Sequence, residues 1–188
     1  MEQIDIRQLF LAFRSQCIQL RTCYNTYTAL YESGETVKII MNSSAPVFFQ
    51  DLNGILIEYI MLQVCKITDP AKTGGKPNLT CLAVNASLEK TGLMTDEITS
   101  HSRGIMEYRK LVKDARNKLI SHADLNTVLS GLTLGEHSKE DVEKFFECLQ
   151  GYTDAVGNTI GVGPLDFRVT AGSGDVLDLI KILRGRVI

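Results

Sequence analysis

One short stretch of the chain carries side chains suited to chemistry on a phosphodiester. Residues 116–122 read RNKLISH, so Arg116 and His122 stand six positions apart and Asn117 follows the arginine. A guanidinium is always charged and grips phosphate oxygens through two parallel N–H donors. An imidazole takes or gives a proton near neutral pH. Together these groups can move the proton of a ribose 2′-hydroxyl and stabilise the charge that builds on phosphorus, and this chemistry requires no metal ion.

The pattern of apolar residues predicts that this stretch lies late in a long helix over residues 96–122. The apolar positions recur at steps of three and four, which is the period of a helix, and His122 continues them. They are Ile105, Tyr108, Val112, Ala115 and Leu119. The second half of the same helix is the most basic part of the chain, with Arg109, Lys110, Lys113, Arg116 and Lys118 against Asp114. Phosphate recognition needs such a local positive field, because the net charge of the whole chain is only −2.

A regular helix does not aim both side chains at one phosphate. Positions six apart are separated by roughly 120° around the helix axis, so Arg116 and His122 fall on opposite edges of the apolar stripe. Either the helix bends or ends between them, or two copies of the chain pack across a two-fold axis and both pairs line one cleft.

An Arg-x5-His motif with Asn after the arginine, late in an amphipathic helix, resembles the signature of the HEPN superfamily. The closest resemblance is to the abortive-infection type of HEPN protein, and it covers most of residues 46–160. It extends to KITDP at residues 66–70, NLT at residues 78–80 and SHAD at residues 121–124. It implies a small all-helical domain, often homodimeric, and for many members a metal-independent ribonuclease with its active site at the dimer interface.

The resemblance also implies roles for individual residues. His122 would be the general base on the 2′-hydroxyl or the acid on the leaving 5′-oxygen, and Arg116 would bind the scissile phosphate. Asn117 would orient one of them, and Asp124 would hold the imidazole tautomer. Lys113 and Lys118 would attract the RNA backbone. The expected product is a 2′,3′-cyclic phosphate. Some antitoxin-paired members carry a tyrosine two residues after the histidine, where this chain has Asp124, which argues against the nucleotidyltransferase-paired group.

The rest of the chain predicts an all-α, up-and-down bundle of four to five main helices plus a short C-terminal helix. Residues 3–42 form one long helix or two joined ones, with a break at Gly34. Further helices cover residues 46–68, 79–90 and 138–156, and the last covers residues 175–184. We predict a bundle over residues 1–160 and an extension over residues 161–188 packed on the same domain. The β-prone residues 166–170 can be extended.

The apolar helix over residues 46–68 is expected to be the core helix, with a dimer contact as an added possibility. It contains Gln50, Asp51, Asn53 and Glu58, so we predict no membrane span. Its Gly54 costs about 1 kcal/mol against alanine, which makes close packing there plausible. Residues 72–77 read KTGGKP and are predicted to be a flexible loop. They lack the spacing of a phosphate-binding loop.

Composition and cysteine usage favour a cytoplasmic protein. The chain has 188 residues, which suggests one domain, and its five cysteines form no Cys-x-x-Cys pair. We therefore expect reduced thiols, no zinc site and no cofactor. The N-terminus has acids where a signal peptide has basic and apolar residues. His101 and His137 have no arginine at the same spacing and are interpreted as surface or capping residues.

Two functions compete, with a plain scaffold as a third. The first is a HEPN-type endoribonuclease used in phage defence, a toxin–antitoxin pair or RNA processing, with RNA and an antitoxin or defence partner as its contacts. The second is a non-catalytic HEPN-like dimer that binds nucleotide, RNA or a partner protein. Loss of cleavage with retained RNA binding in a His122→Ala variant would distinguish the first from the second. In a scaffold, Arg116→Ala and His122→Ala would affect only stability.

Overall fold

The computed structural model describes residues 5–115, 138–169 and 172–187, and helices dominate this part of the chain. The helices are α1 (Ile6–Tyr31), α2 (Glu35–Ser44), α3 (Pro46–Thr68), α4 (Cys81–Thr91), α5 (Asp96–Ala115), α6 (Lys139–Thr159) and α7 (Val176–Val187). Two short strands, β1 (Lys72–Thr73) and β2 (Lys76–Pro77), lie between α3 and α4. The predicted all-α class is confirmed, and six helices precede the C-terminal one among the described residues.

The N-terminal stretch forms two helices because a glycine interrupts it. Gly34 has φ 94°, a left-handed conformation that a side chain would disfavour, and it lies directly before α2. Pro46 then begins α3, where its missing N–H leaves no hydrogen bond unmade. The predicted break and the predicted start of the next helix are both confirmed.

The structure corrects the prediction of a flexible loop at residues 72–77. β1 and β2 pair antiparallel, with Lys72 opposite Pro77 and Thr73 opposite Lys76. Gly74 and Gly75 both have positive φ, at 57° and 78°, which suits a two-residue hairpin turn. Residues 166–169, which were considered as an extended piece, form no strand.

Capping residues fix the ends of α4 and α6. The Thr80 hydroxyl accepts from the backbone N–H of Ala83, and Gly92 closes α4 in the left-handed conformation. Ser138 and Asp141 form a reciprocal capping box at the start of α6. This start agrees with the helix predicted from residue 138.

α5 and α6 approach each other closely through two glycines. A Cβ at Gly104 would lie 2.4 Å from Cys148 Sγ, and one at Gly151 would lie 2.4 Å from the ring of His101. His101 therefore packs against α6, which differs from its interpretation as a surface or capping residue. No pattern along the chain indicates this contact, since it depends on which helices become neighbours.

A polar network lies among the apolar side chains of the core. The Tyr152 hydroxyl donates to Asn85 Oδ1 at 2.7 Å, and Asn85 Nδ2 donates to Ser102 Oγ at 2.7 Å. Ser102 Oγ lies 3.5 Å from Cys81 Sγ. All four side chains are buried, so each bond satisfies a group that would otherwise be costly to remove from water. The network joins α4, α5 and α6.

The outer side of α3 is exposed, so the interpretation of α3 as a core helix is wrong for most of its length. Its buried residues are Phe49, Val64, Cys65, Ile67 and Thr68. Val47, Phe48 and Ile55 are 69%, 59% and 60% exposed. A Cβ added at Gly54 would meet no atom within 4 Å, so the close packing expected there does not come from the described residues.

Length and composition alone would also allow α3 to cross a membrane. It is the one helix among the described residues that passes this test, with a mean hydropathy of 1.2 over the best window and 11% of that window buried. Asp51 and Glu58 are exposed on the same helix. Carboxylates facing lipid are costly, so the prediction of no membrane partner is retained as a prediction.

Candidate active site

The predicted catalytic pair lies outside the described residues. Arg116, Asn117, Lys118, His122 and Asp124 all fall in the stretch 116–137, between the end of α5 and the cap of α6. Lys113 is the one predicted site residue that the structure describes. It is exposed in the last turn of α5, where a cation suits the negative end of the helix dipole.

The apolar stripe of α5 packs as predicted. Ile105, Tyr108 and Val112 are 0%, 7% and 1% exposed. Because these residues face the core at steps of three and four, the polar side of α5 faces solvent, and Lys110 and Lys113 lie on it. The stripe fixes the rotation of the helix that leads into the Arg-x5-His motif.

Arg109 belongs to the basic stretch but is engaged in holding α3 against α5. Its Nη1 lies 2.9 Å from Asp69 Oδ1 and donates to Thr68 Oγ1 at 3.1 Å. It also donates to the carbonyl oxygen of Cys65 at 3.3 Å. Arg109 is half-buried, so the loss of these partners would leave a poorly solvated charge unpaired. Its guanidinium therefore stabilises the packing of α3 against α5 and does not serve phosphate binding.

A cavity of about 330 Å³ opens between α1, α3, α5 and α6. Val112 of α5 and Ser138 at the start of α6 both line it, so the two helix ends that flank residues 116–137 border the same space. Its aromatic lining is Tyr24, Tyr27, Tyr108, Phe145 and Phe146, its aliphatic lining is Ile57, Ile60, Met61, Val64, Val112 and Val142, and its polar lining is Glu32, Ser138 and Lys139. Its size lies within the range of small-molecule sites.

The aromatic rings of the cavity support each other. Tyr24 packs on Phe146 with ring centroids 4.6 Å apart, and Tyr108 packs on Phe145 at 4.7 Å. The Arg21 guanidinium lies 4.7 Å from the centre of the Phe146 ring and makes a cation–π contact with it. Arg21 Nε also donates to the carbonyl oxygen of Arg168, at 3.3 Å. These contacts fix the wall of the cavity.

The electrostatics of the cavity keep its tyrosines protonated. Burial, and then the nearby carboxylate of Glu32, raise the pKa of Tyr24 and of Tyr27. Burial also raises the pKa of Tyr108. At the rim, Lys139 Nζ lies 4.0 Å from Glu32 Oε2. The cavity therefore offers neutral phenols, one carboxylate and one ammonium to any molecule that enters it.

Sequence reasoning missed this cavity. Tyr24, Tyr27 and Tyr31 recur at the helical period, which by itself indicates core or interface residues. The structure confirms a packing role for Tyr31, whose hydroxyl donates to the carbonyl oxygen of Phe49 at 2.7 Å. Tyr24 also packs against the core, on Phe146, and both Tyr24 and Tyr27 are half-buried at the cavity. The one available signal was the density of tyrosines on a single helix.

The five cysteines all lie within the described residues, and none forms a disulfide. Burial raises the pKa of the Cys17 and Cys81 thiols. Raised pKa values mean few thiolates at neutral pH, so these residues act as small apolar groups in the core. This agrees with the reduced thiols expected from the sequence.

Comparison with known families gave a match over nearly the whole chain. The model of the HEPN_AbiU2 family, described as AbiU2, matches residues 4–188, which is nearly the whole chain. Comparisons with curated proteins and with solved structures found no match. The family match agrees with the all-helical fold and with the resemblance seen in the sequence. The chain belongs to the AbiU2 family of HEPN proteins, the abortive-infection type of this superfamily.

Proposed function

We propose that this protein is a metal-independent endoribonuclease of the HEPN type that acts in the cytoplasm, with Arg116 and His122 as its catalytic pair. The observation that carries the proposal is the family match over residues 4–188, within which the chain has an Arg-x5-His motif in its most basic stretch, residues 109–118. Guanidinium and imidazole together suit phosphodiester cleavage. We also propose a role in phage defence or as a toxin with an antitoxin partner, which the abortive-infection type of the family supports.

The mechanism assigns one task to each group. His122 takes the proton of the ribose 2′-hydroxyl or gives one to the leaving 5′-oxygen. Arg116 binds the scissile phosphate and stabilises its developing charge. Asn117 orients one of the two, and Asp124 holds the imidazole tautomer. Lys113 is exposed at the end of α5, and with Lys118 it attracts the RNA backbone.

The chemistry of the products tests this mechanism. Attack by the 2′-oxygen on the adjacent phosphorus leaves a 2′,3′-cyclic phosphate on one fragment and a 5′-hydroxyl on the other. We expect these ends when purified protein cleaves RNA in EDTA, and mass spectrometry of the fragments would detect them. Fragments with 3′-hydroxyl and 5′-phosphate ends would exclude the proposed attack.

A homodimer is the second part of the proposal. The exposed side of α3 supports it, since Val47, Phe48 and Ile55 stand in solvent and Gly54 leaves room for another helix to approach closely. Ile57 is 38% exposed and also lines the cavity, so a contact along α3 would bring two cavities towards each other. A two-fold contact of about 800 Å² per partner is the usual size of a stable interface.

Charge placed on this side of α3 is expected to separate the dimer. Ile55→Lys puts an ammonium where the partner would bury an isoleucine, which should raise the dissociation constant at least tenfold. Size-exclusion chromatography with light scattering measures the mass directly. We expect the monomer to lose RNA cleavage, because the active site would be formed by two copies.

The matched control is Ile39→Lys on α2, where the isoleucine is 58% exposed. This variant should remain dimeric and active. A dimer that survives Ile55→Lys, or that is lost equally in Ile39→Lys, would place the interface elsewhere. An obligate monomer that still cleaves RNA would overturn the shared active site.

The second candidate function is a non-catalytic HEPN-like dimer that binds nucleotide, RNA or a partner protein. The tyrosine-lined cavity of about 330 Å³ favours it, because such a space suits binding whether or not cleavage follows. RNA binding without cleavage by the wild type under any condition would support this function.

A further inference from the structure

We propose that the cavity between α1, α3, α5 and α6 binds one nucleobase of a single-stranded RNA. This inference rests on the proposed function and deepens it, because it names the part of the substrate that the protein grips away from the scissile phosphate. It is built only from described residues of the four helices.

The shape and lining of the cavity suit a flat aromatic ring. Its volume of about 330 Å³ leaves room for a base and part of its ribose. The floor is buried, since Val64, Phe145 and Phe146 are 2%, 1% and 3% exposed. Tyr24 and Tyr27 both line the cavity, with ring centroids 6.5 Å apart and an angle of 23° between the rings. Bases stack on such tyrosine faces in a way that tolerates sequence.

Polar groups lie where the edge of a base would meet them. The Tyr24 and Tyr27 hydroxyls have no hydrogen-bond partner in the described part of the chain, so both are available to donate. The Glu32 carboxylate accepts hydrogen bonds from the exocyclic amine of adenine, cytosine or guanine. Lys139 donates to a base oxygen or to a phosphate. Ser138 is excluded from this role, because its hydroxyl is used in the capping box of α6.

The charge on α5 supports RNA rather than a free aromatic metabolite. Val112 lines the cavity, and Lys113, the next residue, is exposed. The sugar–phosphate chain attached to a bound base would therefore meet a basic side chain three residues before Arg116. Arg109 is already paired with Asp69, which leaves Lys110 and Lys113 as the exposed cations of this part of α5.

The test compares two probes that differ only in their bases. One is a fluorescent 2′-O-methyl hexa-adenylate, which cannot be cleaved because its 2′-oxygen is blocked. The other is a hexamer with the same backbone and no bases. We expect the wild type to bind the first roughly tenfold more tightly or better, since one base stacked on an aromatic side chain is worth about that much. Fluorescence anisotropy measures both affinities.

Filling the cavity should remove this preference. Val142→Phe adds a ring to a lining position, and we expect it to weaken hexa-adenylate binding about tenfold without changing the affinity for the baseless hexamer. Val169→Phe is the matched control, because Val169 is 83% exposed and does not line the cavity. It should leave both affinities unchanged.

A second pair of variants guards against misfolding. Tyr27→Leu removes a stacking face and should reduce the preference for bases, while Tyr59→Leu, on α3 and outside the cavity, should not. Circular dichroism would confirm that all four variants are folded. Equal preference for bases in the wild type, Val142→Phe and Tyr27→Leu would overturn the inference. Wild-type RNA affinity together with lowered thermal stability in Val142→Phe would also overturn it, because residues 116–137 of the chain would then already fill the cavity.

The outcome is separable from the proposed function. Cleavage of ordinary RNA by the wild type, together with no preference for bases, would overturn only the cavity. If the protein never cleaves RNA but shows a preference for bases that Val142→Phe abolishes, base binding in the cavity would be supported and the proposed ribonuclease activity would be contradicted.

Discussion

Replacement of His122 by alanine is expected to lower the rate of RNA cleavage by roughly 10²- to 10⁴-fold, the range typical of a lost general acid or base. The imidazole is the one group of the motif that exchanges a proton near neutral pH, and alanine offers no substitute. RNA binding should be nearly unchanged, because the attraction to phosphate comes from the arginine and the lysines. Single-turnover cleavage of a labelled RNA gives the rate, and anisotropy with an uncleavable RNA gives the affinity.

The other two histidines of the chain provide matched controls. His137→Ala and His101→Ala should cleave RNA at nearly the wild-type rate. His101 packs on Gly151, so its replacement is expected to alter stability more than activity. If His101→Ala or His137→Ala abolished cleavage while His122→Ala did not, the assignment of the catalytic histidine would be wrong.

Replacement of Gly157 by alanine is expected to destabilise the fold by about 3 kcal/mol. A Cβ there would lie 2.3 Å from the carbonyl oxygen of Gly163, which is closer than the 3.0 Å that real Cβ contacts keep. That backbone is tied in place, since the N–H groups of Val162 and Gly163 donate to the Gly157 carbonyl at 2.8 and 2.9 Å. Arg14 Nη1 donates to the Gly163 carbonyl at 3.1 Å. The added methyl cannot be accommodated without breaking some of these bonds.

Urea unfolding followed by circular dichroism gives the change in the free energy of unfolding. In a melting experiment the same loss should lower Tm by about 6–12 °C for a chain of this size. Gly185→Ala on α7 is the control, because a Cβ there meets nothing within 4 Å. It should be neutral or stabilising by up to about 1 kcal/mol. A Gly157→Ala protein as stable as the wild type would contradict the close approach of the two backbones.

Local signals in the sequence predicted the helices well. Ser138 with Asp141, Thr80 before α4 and Gly92 after it cap helices through interactions with residues within a few positions. Gly34 interrupts a helix because of its own backbone preference. Such signals need no knowledge of distant parts of the chain, which explains why helix ends were predictable from one sequence.

Features that depend on how two structural elements pack against each other were not predictable from the sequence. The hairpin at residues 72–77 has strands of two residues, too short to show an alternating pattern. α3 is apolar around most of its circumference, so its periodicity could not tell which side faces solvent. The cavity needs Tyr24 of α1, Ile60 of α3 and Val142 of α6 to meet, and no spacing along the chain encodes that meeting.

The candidate site likewise has a part that is predicted from the sequence and a part that only the structure shows. The identity of the catalytic pair comes from the sequence, as residue types at a fixed spacing, and it stays a prediction. The structure contributes what the spacing lacked: the buried stripe that orients α5, the commitment of Arg109 to Asp69, and a tyrosine-lined cavity bordered by both flanking helices. The division into residues 1–160 and 161–188 also stays a prediction.

The most direct test of the central claim is RNA cleavage in EDTA by wild type and His122→Ala, each purified identically and assayed across its size-exclusion peak. EDTA removes contaminating metal-dependent nucleases. We predict cleavage that follows the wild-type protein peak and is absent from the His122→Ala peak. Equal cleavage by both proteins would contradict it, because the activity would then come from a contaminant or from another site.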